Sequence, residues 1–130
     1  MPVKRVPLGL TWEQHLQFAA RLRDLWELVY SPNRDKTKML LCSKLFALNR
    51  DLAFEMAEYV YLDCKGTSYV PTRDDPYDGW RFSEAKFEHS FADIRTNLIN
   101  LREALLPTNP KGKAVSLIGK MLAAMNKAGV

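Results

Sequence analysis

The chain has 130 residues, 47% of them hydrophobic and 26% charged, with a formal net charge of +4. That length suits one domain, and the balance is that of a folded globular protein, not of a disordered one. The opening MPVKRVPLGL lacks the apolar run and small-residue cleavage site of a signal peptide, and no stretch approaches the ~20 apolar residues of a membrane span.

Residues 1–10, with two prolines and the pair Lys4-Arg5, read as an extended N-terminal arm. A first helix should start at Thr11, whose hydroxyl caps it while Gln14 reaches back, the T-x-x-Q form of a capping box. Trp12, Leu16, Ala19, Leu22, Trp26 and Val29 then recur at three- and four-residue steps, which predicts one buried stripe. Ser31-Pro32 ends this helix, because a residue before proline is pushed out of the α region.

A second helix is expected from Pro32 or Asp35 to Lys65, with Gly66 as its stop. Its core face reads Met39, Cys42, Leu45 or Phe46, Asn49, Leu52, Met56, Val60 and Cys64. The polar triplet Asn49-Arg50-Asp51 looks cap-like, and a break there would give five helices in place of four. If the helix is continuous, Cys42 and Cys64 lie roughly 33 Å apart, too far for a disulfide. Buried thiols in a reducing compartment are the simpler reading, and they agree with the cytoplasmic location expected from the lack of a signal peptide and of a membrane-length apolar stretch.

Residues 66–79 (GTSYVPTRDDPYDG) form one irregular loop dense in Gly, Pro and Asp. A third helix is predicted over Phe82–Leu106 with Ser83 as its cap. Phe87, Phe91, Ile94, Leu98, Leu101 and Leu105 make a heptad seam suited to near-parallel packing. Pro107 stops it. TNPKG leads into a fourth helix over Lys113–Ala128, with Ala114, Ile118, Met121, Leu122 and Met125 facing inward. The expected fold is therefore an all-α four-helix bundle with antiparallel neighbours, one domain over 1–130.

Catalytic chemistry finds little to work with. His15 and His89 have no partner at zinc-ligand spacing, no P-loop, G-x-G-x-x-G or G-x-S-x-G occurs, and Asp74, Asp75 and Asp78 lack the spacing of a calcium loop. No enzyme, cofactor or metal is expected. The basic groups say more. Arg34, Lys36 and Lys38 crowd the start of the second helix, with Lys44 beyond them. Lys111, Lys113, Lys120 and Lys127 sit in a segment, 107–130, that contains no acid. The last three are seven apart and should line one outer stripe of the fourth helix. Such rows suit a nucleic-acid backbone, RNA or DNA, contacted without base reading.

The second helix also carries apolar groups around most of its circumference. Leu40, Leu41, Leu48, Tyr59, Tyr61 and Leu62 mark a face expected to dock another chain. The sequence thus points to a non-catalytic basic subunit of a homo-oligomer or larger complex. The alternative is a pure protein–protein module, adaptor or inhibitor, acting through the second helix and the aromatic 66–80 loop with Tyr69, Tyr77 and Trp80. In general character the chain is similar to small helical subunits of bacterial ribonucleoprotein complexes and to helical accessory proteins of mobile elements. That likeness is one of class and assigns no residue.

Overall fold

A computed structural model of the chain describes residues 8–29, 36–63 and 91–130; the side chains of Trp12 and of residues 24–29, 37–38 and 58–63 are not among those described. Four helices and no strand lie in this set: α1 (Trp12–Val29), α2 (Lys36–Asp63), α3 (Phe91–Leu105) and α4 (Lys113–Ala128). The capping box forms as the spacing predicts. The Thr11 amide donates to Gln14 Oε1 at 3.0 Å, and the Gln14 amide donates to Thr11 Oγ1 at 3.1 Å. At the other end of the chain, Gly129 takes the left-handed conformation (φ 78°) that closes α4 and returns its amide to the Asn126 carbonyl.

The helices pack as two hairpins. α1 lies against α2 and α3, α4 lies against α2 and α3, and the pairs α1/α4 and α2/α3 stand diagonally opposite. Each adjacent pair runs antiparallel. Asn49 of α2 reaches Leu22 of α1, and Arg95 near the start of α3 reaches Asn126 and Val130 at the end of α4. Thr108, just past α3, donates from its hydroxyl to the Leu8 carbonyl at 3.0 Å, just before α1. The result is a four-helix bundle with antiparallel neighbours, as the periodicities predict.

Several details differ from the sequence expectation. Residues 8–10 are not a free arm: Leu8 and Leu10 are fully buried in the core. Gly9 allows this with φ 85°, and a β-carbon there would stand 2.2 Å from Thr108 Oγ1, so no other residue fits. The core stripe of α1 is rotated from the predicted one. His15, Phe18, Ala19 and Leu22 are buried while Leu16 is only half-buried, because α1 must face α2 and α3 together. Met39, expected inside, is 54% exposed. α2 does not break at Asn49. The predicted first turns of the third helix, including Ser83 and Phe87, and the loop 66–79 lie outside the described residues. The seam of α3 holds, with Ile94, Leu98, Leu101 and Leu105 all buried. α4 has the predicted bounds and a wider buried face, which adds Leu117 and Ala124 to the five residues expected.

Among the described residues two polar side chains sit wholly inside. Asn49 donates from Nδ2 to the Leu22 carbonyl at 2.8 Å, stitching α2 to α1, while its Oδ1 has no hydrogen-bond partner. A buried unmatched acceptor costs roughly 1–3 kcal/mol. Here that cost offsets part of what the donor gains. His15 is 0% exposed, and burial alone pushes its pKa from 6.5 down to about 3.

These groups give two predictions. Asn49→Leu fills the site and removes the unmatched oxygen, so it should cost less stability than Asn49→Ala, which leaves a cavity worth about 2 kcal/mol or more. Asn49→Asp, a buried carboxylate at pH 7, should be the worst of the three in urea unfolding. Equal midpoints would contradict the packing described. For His15, the unfolded chain binds a proton below pH 6.5 that the folded chain refuses until about pH 3. Stability is therefore whole above pH 6.5 and falls with acid by about 1.4 kcal/mol per unit. His15→Met should gain on the wild type by about 2 kcal/mol between pH 7 and pH 5, since it lacks that proton. A pH-independent difference between the two would show that His15 is not buried as a neutral ring.

Candidate nucleic-acid interface

The basic row arises from how α4 spends its circumference. Ala114, Leu117, Ile118, Met121, Leu122, Ala124 and Met125 are buried, so charge can sit only on what remains. Lys113, Lys120 and Lys127 are all exposed there. Seven residues rise about 10 Å along a helix and drift by only ~20°, so the three ammonium groups form one nearly straight line about 21 Å long. Lys111, also exposed, extends it past the start of α4. No Asp or Glu occurs between residues 107 and 130 to neutralise the row.

The start of α4 adds a second feature. Gly112 is the N-cap, in extended conformation, and supplies no side-chain hydrogen bond to the first turn, which also holds no acid. Helix N-termini carry free N–H donors and partial positive charge, so this end of the row combines amides with the flanking Lys111 and Lys113. The opposite end is different. Arg95 donates to Asn126 Oδ1 and to the Val130 carbonyl, so its charge serves the C-terminus of α4 and not the open surface. Sequence reasoning missed this residue, which sits among polar positions flanking the α3 seam.

Of the other predicted basic residues, Lys36 opens α2 and is exposed, and Lys44 is exposed two turns later. Both belong to the helix that packs on α4, antiparallel to it, so Lys36 lies toward the same end of the bundle as Lys127. Lys36 also sits in a first turn with no acid, against the helix macrodipole. Arg34 and the Lys38 side chain lie outside the described residues. So do Tyr59, Tyr61 and Leu62 from the expected docking face, and Tyr69, Tyr77 and Trp80. Leu40 of that face is 69% exposed. Leu48 is half-buried against the core, and Leu41 is inside it, so Leu41 is a packing residue and not part of an outward surface.

One concavity was not foreseen. Between α1 and α3 an open cleft of about 350 Å³ is lined by Gln17, Arg21, Asp93, Thr96, Asn97 and Asn100, with Phe18 as its apolar member. The buried Nδ2 of Asn97 has no hydrogen-bond partner. Its amides, hydroxyl and opposite charges can hold a polar group, but no histidine or cysteine lines it to act as base or nucleophile. Only the polar positions Thr96, Asn97 and Asn100, off the α3 seam, could have signalled it. His15 is sealed in the core and His89 lies outside the described residues, while Cys42 is buried among apolar side chains. Among the described residues no three His, Cys, Asp or Glu side chains converge as metal ligands. No described helix is long and apolar enough to cross a membrane. Comparison with known proteins finds no matching family model, curated protein or solved structure.

Proposed function

We propose that this chain is a non-catalytic helical subunit that lays the outer face of α4 along a nucleic-acid backbone, without reading bases, as one member of an assembly in a reducing, cytoplasmic setting. The single observation that carries the reading is the straight row of exposed lysines, Lys113, Lys120 and Lys127, in a segment free of acids. A row of fixed cations beside a phosphodiester releases condensed counterions, and that release supplies sequence-independent affinity. The uncapped first turn of α4, with Lys111 and Lys113 beside it, favours one phosphate in particular at that end. Lys36 and Lys44 on the neighbouring helix add positive potential that steers a polyanion toward the bundle.

The second reading is a protein-binding module that works through α2 and touches no nucleic acid. What favours it is the exposure of Leu40 and Met39, at 69% and 54%, on the outer side of α2. The two readings use different helices and separate cleanly by salt. Four engaged lysines predict that log K for a duplex falls with log salt at a slope of about −3.6, and for a single strand about −2.8.

Fluorescence anisotropy with a labelled duplex and a labelled single strand, from about 50 to 200 mM salt, checks this directly. Wild-type protein should bind both with little dependence on sequence. The triple variant Lys113→Glu, Lys120→Glu, Lys127→Glu should lose at least about tenfold in affinity at the lowest salt and flatten the slope by roughly three for a duplex. All three positions are exposed, so the fold should survive, and an unchanged helical circular-dichroism spectrum verifies it. Unchanged binding in that variant removes the α4 row as the contact surface, and no binding by the wild type at low salt removes the nucleic-acid reading and leaves the protein module.

A further inference from the structure

Among the described residues the two most exposed large apolar side chains, Leu40 and Met39, both belong to α2. They are not isolated. Leu40, Ala47 and Phe54 recur every seven residues, with Ser43 and Arg50 between them, giving the four-three spacing of a coiled-coil seam. Ser43 and Ala47 are exposed, while Arg50 and Phe54 are half-buried. The seam that α2 turns to its own core is a different one, built on Leu45, Asn49, Leu52 and Met56. α2 therefore presents two helical seams, and the bundle covers one.

Charge is sorted along the outer seam. Its lysines, Lys36 and Lys44, stand in the N-terminal half, and the carboxylates beside it, Asp51 and Glu55, in the C-terminal half, where Arg50 on the seam offsets one of the two. This order runs against the macrodipole, with no acid in the first turn of α2 and no base in the last. An isolated helix pays for such an arrangement. An antiparallel partner of the same sequence relieves it, because each basic half then meets an acidic half.

We propose that the outer face of α2 pairs antiparallel with the same face of a second copy of this chain. The inference deepens the assembly part of the function proposed above and does not depend on the nucleic-acid part. A two-fold axis beside Ser43 sets Leu40 of each copy over Ala47 of the other and keeps a small side chain at the crossing, so the backbones approach closely. The same axis brings Lys36 of each copy to the turn that carries Asp51 and Glu55 of its partner. Those carboxylates have lone pairs for more than one donor, so their contacts within the bundle do not prevent the new one. A parallel pairing would instead set lysine against lysine. The contact is isologous and closes on itself as a dimer, with no tendency to form fibres. Residues 36–55 span about 30 Å, and a helix is about 10 Å wide, so the seam covers about 300 Å² of each copy in projection. Counted over both copies that footprint is about 600 Å², below the roughly 1,200–2,000 Å² of stable specific interfaces, so the pairing is a weak, transient one, with a dissociation constant expected at about 10 μM or weaker.

Sedimentation velocity on protein stripped of nucleic acid, from about 1 to 500 μM, is the test, a range that brackets such a constant. Wild type should pass from monomer to dimer. Leu40→Glu, at an exposed position that leaves the core alone, should stay monomeric throughout with an unchanged circular-dichroism spectrum. Lys36→Glu and Asp51→Lys should each weaken the dimer about fivefold or more, and the two together should restore it to within about threefold of wild type, the signature of a coupled pair. A wild type that is monomeric at the highest concentration overturns the proposal and the homo-oligomer with it. A dimer indifferent to Leu40→Glu, or charge reversals that fail to rescue each other, overturns this seam while self-assembly stands. The salt titration of nucleic-acid binding is a separate readout, so its failure is told apart from either.

Discussion

The packing of α4 against α2 and α3 is the constraint from which the surface chemistry follows. Seven of the sixteen residues of α4 are buried, and they span a broad arc, not a narrow stripe. A helix that commits so much of its circumference to the core has little left for solvent, and whatever charge it carries is concentrated on that remainder. In this chain the remainder holds lysines and no acids. The straightness of the lysine row is thus a by-product of core packing at heptad spacing. Its sign is a choice of composition that packing does not demand. Solubility alone would be served as well by mixed charge, and a row of one sign builds a field that extends about a Debye length, 8–10 Å, from the helix.

Among the described residues the core that supports this surface is apolar except at two places, and both bear on how one arrangement of helices is selected. Asn49 sits where a leucine would pack, and its hydrogen bond to the Leu22 carbonyl fixes the height of α2 along α1. Apolar side chains of similar size tolerate sliding by a turn; a buried amide that must find one carbonyl does not. The neutral ring of His15 adds a pH boundary to the same hairpin without contributing a reactive group. At the other end, the Thr108 hydroxyl donates to the Leu8 carbonyl and lies close over Gly9, so the two hairpins are joined by a side-chain-to-backbone hydrogen bond as well as by apolar area.

Much of this was legible in the residues. The capping box at Thr11 and Gln14, the α3 seam from Ile94 to Leu105 and the bounds of α4 all follow from local spacing, because each depends on residues three or four apart. What could not be read depends on partners distant in sequence. Asn49 was read on the core face, with a break at its triplet with Arg50 and Asp51 as the alternative; what spacing could not supply is its partner, the Leu22 carbonyl 27 residues away. The stripe of α1 was misplaced by part of a turn, because contact with two neighbours draws His15 and Phe18 inward and leaves Leu16 half-buried. Leu41 and Met39 exchanged roles for the same reason. An over-apolar helix announces that two faces exist without saying which residues belong to each. On the candidate interface, lysine exposure on α4 was foreseeable from the seven-residue spacing, but the withdrawal of Arg95 to the α4 terminus was not.

The proposed dimer and the proposed nucleic-acid surface would reinforce each other through geometry. Four lysines on one copy, at about −0.9 per phosphate on a duplex, make a contact that physiological salt largely dissolves. Pairing through the outer face of α2 would leave α4, a different corner of the bundle, uncovered in each copy, and the two-fold axis would present two rows at a fixed separation. The second row then binds at the effective concentration set by that separation, not at the bulk concentration, which raises avidity by orders of magnitude when the polyanion can reach both. A weak seam and a weak cationic row are individually unimpressive, and each needs the other to matter at cellular concentrations. Nucleic acid long enough to bridge two rows should therefore promote pairing, and nucleic acid too short to do so should not, because linkage between the two equilibria runs in both directions.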